Sequence, residues 1–370
     1  MTGRSWIIRL AVGVLATVLL AGCAAGATTR PTTAALAVPS AGPSPTAVAL
    51  PASAPVATPA ASLAPPATPS PAPTATPTVI ETQDVAFESS NPLNAPGVLD
   101  IYAPVKPGPW PVVVMFHGDP AMVSKEYLTE HAQRVADQGF VVFVPNWFKS
   151  GGAAFGALSW GDQARGSGLQ SACAVAFARS HAAAYGGDPS TLIVFGHSAG
   201  ANEASVIAFD RPTPTAGCLG GRTLGPISAL VTWEGDWLLE DPSNDSTVTA
   251  DPTALDAVTP WKHLAEHKDL PVVMLVSDTH GPDYSREVGD LSWLVARDPT
   301  GAFRTQLQAI GAFKGGITGV VQEQQLLYSL LKAQGNPVSL QVLPDSTHDG
   351  VGDAGWPVFL KAFREAATRT

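Results

Sequence analysis

The chain has 370 residues, 45% of them hydrophobic and 14% charged, with 21 Lys and Arg against 31 Asp and Glu for a formal net charge of −10. Only three of the basic residues, Arg4, Arg9 and Arg30, and none of the acidic ones precede residue 79, so the remainder carries about −13. That balance argues against nucleic acid as a partner. The absence of a His/Cys group at ligand spacing argues against a metal site.

Taken in chain order, the first segment joins a basic start (Arg4, Arg9) to an apolar run, Leu10–Leu20, that ends in Leu20-Ala21-Gly22-Cys23. The run is too short for a comfortable membrane span and stops at small residues, the pattern of a cleaved signal. Its last four residues resemble the bacterial lipobox. The resemblance implies a signal peptide over 1–22, acylation of Cys23 and attachment to a membrane by lipid rather than by a span. From there to residue 78 the sequence is almost entirely Ala, Pro, Thr and Ser, with one charge and no aromatic residue. Such a composition cannot bury enough apolar surface to offset its ordering entropy. A disordered tether is expected over 23–78, biased to extended conformations by thirteen prolines between Pro31 and Pro77.

Residues 79–370 are one domain's worth of chain. Short strands are expected at Val85–Phe87 and Val98–Tyr102, and a continuous apolar strand at Val112–Phe116, ending in His117-Gly118-Asp119. A helix over Lys125–Gln138 leads to a strand at Phe140–Val144, closed by Pro145. Gly151–Gly168 reads as loop and Leu169–Tyr185 as helix. A turn, Gly186-Gly187-Asp188-Pro189, enters the strand Leu192–Phe195, and a helix-compatible run covers Ala201–Phe209. Further strands are expected at Ser228–Trp233, Pro271–Val276 and Val338–Leu343, and a closing helix at Pro357–Ala367. Strands alternating with helices at this rhythm predict an α/β fold: a mostly parallel sheet flanked by helices on both faces. Two long excursions, Glu240–Thr259 and Gly281–Thr318, fall at strand ends where lids and pockets are built.

Between the strand and the run Ala201–Phe209 lies Gly196-His197-Ser198-Ala199-Gly200, a G-x-S-x-G in the strand–turn–helix context of a nucleophile elbow. The chemistry needs Ser198 at the tip of a tight turn, with small residues on either side so that strand and helix can close around it. His348 follows the last strand by a short loop, where it can take the Ser198 proton. An acid after the Pro271–Val276 strand completes the order Ser…Asp…His. Asp283 is favoured because a Gly-Pro turn presents it. Asp278 is the runner-up, with a loop-capping role as its alternative, and Glu234 and Asp236 after the preceding strand are a third option.

That chain order, together with Tyr185-Gly186-Gly187-Asp188-Pro189 running into the elbow, resembles the α/β-hydrolases of the esterase/lipase group, among them dienelactone-hydrolase-like, cutinase-like and carboxylesterase-like members. The resemblance covers residues 98–370 and is specific only around the elbow. It implies a serine hydrolase that cleaves small or polymeric carboxylic esters through an acyl-enzyme, as a monomer and without a cofactor, and the lipobox makes it extracytoplasmic and lipid-anchored. It also implies an oxyanion hole made by the backbone N–H groups of Asp119 and Ala199, although Asp119-Pro120 replaces the further glycines of the related HGGG loop. His117, Trp147 and Trp233 fall where such folds line the substrate pocket. Cys173 and Cys218, on elements flanking the elbow strand, are expected to pair in an oxidising compartment. An amidase or peptidase using the same triad, and a non-catalytic binding lipoprotein of the same fold, are the alternatives.

Overall fold

A computed structural model describes residues 78–89, 97–118, 123–147, 160–235, 263–279, 287–288, 304–305, 308 and 317–369. The lipobox, the Pro-rich segment and most of both excursions lie outside the described residues.

An eight-stranded sheet has the order β1-β2-β4-β3-β5-β6-β7-β10. Its members are β1 (Val79–Glu88), β2 (Gly97–Pro104), β3 (Trp110–Phe116), β4 (Val141–Pro145), β5 (Gly187–His197), β6 (Ala229–Trp233), β7 (Val272–Ser277) and β10 (Val338–Leu343). A separate two-residue pair, β8 (Glu287–Val288) and β9 (Ile317–Thr318), lies between β7 and β10 in sequence. Within the large sheet β2 runs antiparallel to both neighbours and every other pairing is parallel.

The central strands are apolar at nearly every position because both faces are covered. Val112, Val114 and Phe116 belong to the core layer on one side, which is covered by α2 (Trp160–His181), α3 (Ala199–Phe209) and, over β7 and β10, α4 (Gly319–Gln334). Val113 and Met115 pack on the other, against α1 (Thr129–Asp137) and α5 (Trp356–Thr368). On α5 the apolar stripe Trp356, Phe359, Phe363 and Ala366 recurs at helical spacing, and its two phenylalanines are fully buried. Truncating either to Ala should cost about 3–5 kcal/mol.

Two elements depart from the sequence expectation for identifiable reasons. Strand β1 extends over ten residues rather than three because it is a mostly exposed sheet edge, where no apolar period is needed. Helix α2 starts at Trp160, inside the stretch expected as loop. Glycine disfavours a helix by about 1 kcal/mol, which is why the glycine-rich stretch reads as loop, but packing of α2 against α3 outweighs that local preference.

Cys173 of α2 and Cys218 form a disulfide with a Cα–Cα separation of 5.3 Å. Around it the 217–219 segment bonds to the end of β1, Leu219 N–H to Phe87 O at 2.9 Å and Ser89 N–H to Gly217 O at 2.9 Å.

Candidate active site

The carboxyl ends of β3, β5, β6 and β7 and the loop after β10 meet at one place. Ser198 stands between β5 and α3 with φ 55° and ψ −127°, a left-handed conformation that a non-glycine residue rarely adopts and that costs about 1–3 kcal/mol. The flanking glycines are required by close approach. A Cβ on Gly196 would lie 2.0 Å from the carbonyl oxygen of Gly200, and one on Gly200 would lie 2.2 Å from the carbonyl oxygen of His117. The sharp turn thus fits only because both positions lack a side chain. Ser198 N–H donates to Trp233 O at 2.9 Å, tying the elbow to β6. Ala199 opens α3, so its N–H is among the first-turn amides that have no partner within the helix. Gly118, after β3, sits beside the serine: a Cβ there would be 3.5 Å from Ser198 Cβ. Asp119, the other expected oxyanion donor, lies outside the described residues.

His348 is buried on the loop between β10 and α5. Its Nδ1–H donates to Glu234 Oε2 at 2.7 Å, which leaves Nε2 as the basic nitrogen. Glu234 directly follows β6 and is itself in the left-handed region, φ 46°. Its second oxygen, Oε1, accepts the backbone N–H of Ser277 at 2.7 Å. Burial pushes the Glu234 carboxyl up, but the bonds from His348 and from the Ser277 amide outweigh it and hold the group below the ordinary carboxylate value. The carboxylate is therefore charged, with a donor on each of its two oxygens.

The partner of His348 is thus the residue placed behind Asp283 and Asp278 in the sequence reading. Asp283 lies outside the described residues. Asp278 is exposed and turned elsewhere: its carboxylate accepts the backbone N–H groups of Asp345 at 2.8 Å and Ser346 at 3.0 Å. It clamps the loop that carries His348 rather than the imidazole, because a side chain directly past the end of β7 reaches the neighbouring loop's amides first. Glu234 was visible in the sequence as an acid set directly after an apolar strand, with Asp236 two residues on. What the sequence lacked was the register that puts β6 between β5 and β7.

Trp233 corrects another expectation. It is fully buried, 4.2 Å from the His197 ring and 5.9 Å from that of Phe359, and its indole N–H donates to Ser277 Oγ at 3.1 Å. It belongs to the core beneath the site, not to a pocket wall. Ser277 Oγ in turn donates to Thr347 O at 2.8 Å, so the indole braces the histidine loop through one hydroxyl. Trp147 and His117 are also buried, and the Trp147 indole N–H donates to His117 O at 3.0 Å, bracing the end of β3.

The comparisons with known proteins converge on this architecture. The family model BD-FAE matches residues 99–217, a span from β2 to beyond α3 that includes Ser198 but neither Glu234 nor His348. A thermophilic esterase from the planctomycete Thermogutta terrifontis, solved with butyrate bound, superposes with a TM-score of 0.53 at 15% identity, covering 76% of this chain and 92% of its own. The chain has the α/β-hydrolase fold. Esterase B from Lactobacillus rhamnosis, in an inhibited form, gives a TM-score of 0.54 at 14% identity over 80% of this chain and 89% of its own. A truncated carbohydrate esterase from gut microbiota gives 0.54 at 16% identity over 80% and 99%. No curated protein sequence matches this chain.

Proposed function

We propose that this α/β-hydrolase cleaves carboxylic esters with Ser198 as nucleophile, His348 as general base and Glu234 as the acid that orients it. The observation that carries the reading is the buried Glu234–His348 bond set beside a serine held in a strained turn. The esterase names of the structural neighbours support ester over other acyl substrates.

In this reading Ser198 Oγ attacks the ester carbonyl while its proton passes to His348 Nε2. The resulting imidazolium is stabilised by the Glu234 carboxylate at Nδ1. The developing oxyanion is met by the N–H of Ala199 and by the loop after Gly118; each such donor commonly contributes about 3–4 kcal/mol. His348 returns the proton to the departing alcohol, leaving an acyl-serine. Water, deprotonated by the same nitrogen, then releases the acid and restores Ser198.

The test is turnover of a short-chain nitrophenyl ester against the matching anilide. Hydrolysis of the ester, its loss in Ser198→Ala, and an organophosphonate adduct on Ser198 are expected. Anilide turnover at a comparable rate would make the protein an amidase, and an adduct on another serine would overturn the site.

The same reading places the catalytic domain outside the cytoplasm, anchored through lipidated Cys23 on the Pro-rich tether. The Cys173–Cys218 bridge fits an oxidising compartment. Cys23→Ser should move the protein from the membrane to the soluble fraction with its activity unchanged, and fractionation like the parent would remove the anchor.

A further inference from the structure

His197 is the first unspecified residue of G-x-S-x-G and enters no step of the chemistry above, yet its side chain is among the most enclosed near the site. It is 3% exposed, and its ring lies 4.2 Å from that of Trp233, 4.6 Å from that of His348 and 5.3 Å from that of Tyr127. Its Nε2 is 2.7 Å from the backbone carbonyl oxygen of His348. A carbonyl oxygen only accepts, so Nε2 carries the proton and Nδ1 is bare in the neutral ring.

We propose that His197 is a positioning residue: its Nε2–H, fixed on the His348 carbonyl, sets the separation between the strand that carries the nucleophile and the loop that carries the base. The role rests on reading Ser198 and His348 as a hydrolytic pair. Ser198 is the next residue in the chain, so one hydrogen bond ties the side chain beside the nucleophile to the backbone of the base. Neighbouring side chains of the β7 end hold the loop just before it, Asp278 at residues 345 and 346 and Ser277 at residue 347. The imidazole of His348 is held at Nδ1 by Glu234. The bond from His197 reaches the backbone of residue 348 itself. Burial, and then the nearby His348, push the His197 imidazole well below the ordinary histidine value, so the ring stays neutral and the tautomer stays fixed. A glutamine in its place can still donate from a side-chain N–H. A phenylalanine fills the space without a donor. A displacement of about 1 Å in such a site costs on the order of 10²-fold in rate.

The experiment compares the full-length parent, His197→Gln and His197→Phe by ester kinetics and by NMR of uniformly ¹⁵N-labelled protein. In the parent, the ¹⁵N shifts of His197 should show a protonated Nε2 and a bare Nδ1 between about pH 5 and 8. A protonated Nδ1 or a charged ring would overturn the proposal with no variant needed. His197→Phe should lower kcat by about 10–100-fold with KM within about 2-fold, and should broaden the downfield proton of His348 Nδ1, a signal assigned by its loss in Glu234→Gln. His197→Gln should keep that signal and most of kcat. Parental kcat in His197→Phe, or equal losses in both variants, would overturn the donor role. If His197→Phe does not fold, His197→Leu takes its place. If the parent turns over no ester, the hydrolase reading fails separately, and the two NMR readouts still decide the clamp.

Discussion

Glu234 Oε2 lies 2.7 Å from His348 Nδ1 across 114 residues of sequence. The pair spans two strands of the sheet: the acid leaves β6, the histidine leaves β10, and β7 runs between them, offering its Ser277 amide to the acid's other oxygen.

The first prediction separates the two carboxylates near that loop. Glu234→Gln should lower kcat by on the order of 10⁴, since the imidazole loses its orienting acceptor and the counter-charge to its cation. Asp278→Asn keeps one acceptor for the loop amides and should cost no more than about 10-fold in kcat, with a measurable loss of thermal stability. Steady-state kinetics on both variants checks this; a collapse in Asp278→Asn with near-parental Glu234→Gln would reverse the assignment.

The second concerns the elbow glycines. Gly200→Ala places a Cβ 2.2 Å from the His117 carbonyl oxygen and 2.3 Å from that of Phe116, so backbone must move. A loss of about 3 kcal/mol or more is expected in urea unfolding, with activity abolished. Gly118→Ala is the control in the same place. Its Cβ would meet His197 Nδ1 at 3.4 Å and Ser198 Cβ at 3.5 Å, ordinary contact distances, and its stability should stay within about 1 kcal/mol of the parent.

A third prediction uses two buried groups with opposite pH signatures. His131 is enclosed by the rings of Trp233, Trp356 and Phe359, and burial lowers its pKa to about 4 from 6.5. A histidine lowered on folding contributes stability that is present above pH 6.5 and lost as pH falls toward 4, about 3 kcal/mol in all. Glu203 of α3 is buried against α2, where Ser167 Oγ donates to it at 2.8 Å, and burial raises its pKa to about 7 from 4.5. A carboxyl raised on folding contributes stability that is present below pH 4.5 and lost as pH rises through 7, again about 3 kcal/mol. Denaturant melts from pH 4 to 8 should show Glu203→Gln relieved of the alkaline loss and His131→Phe relieved of the acid loss. Parallel profiles for parent and variant would refute either assignment.

The fourth concerns the Cys173–Cys218 bridge, which closes a loop of 45 residues. Replacing both cysteines with alanine should cost about 4 kcal/mol, chiefly by freeing the unfolded chain. Loss should appear first as faster exchange of the Ser89 and Leu219 amides, whose bonds pair β1 with the bridged segment. An unchanged unfolding midpoint would show that the segment is held by those bonds alone.

What the sequence by itself determined follows from local physics. Apolar runs such as Val112–Phe116 and Leu192–Phe195 announce strands covered on both faces, and a glycine-flanked serine between such a strand and a helix announces the elbow. These signals lie within about fifteen residues, and the structure needs nothing distant to produce them. His348 was legible for the same reason, as a histidine shortly after the last apolar strand. The partner of that histidine was not. Asp278, Asp283 and Glu234 all follow strands at the carboxyl edge, and sequence spacing does not say which of them faces the imidazole. Pairing β6 between β5 and β7, and turning the chain at Glu234 through φ 46°, brings Glu234 there and leaves Asp278 to the loop amides. Trp233 and His197 became core for the same reason: only packing across the sheet decides whether a ring near the catalytic edge points into a pocket or beneath it. Residues far apart in sequence meet through strand order and register, a property of the assembled sheet that no local stretch of chain encodes.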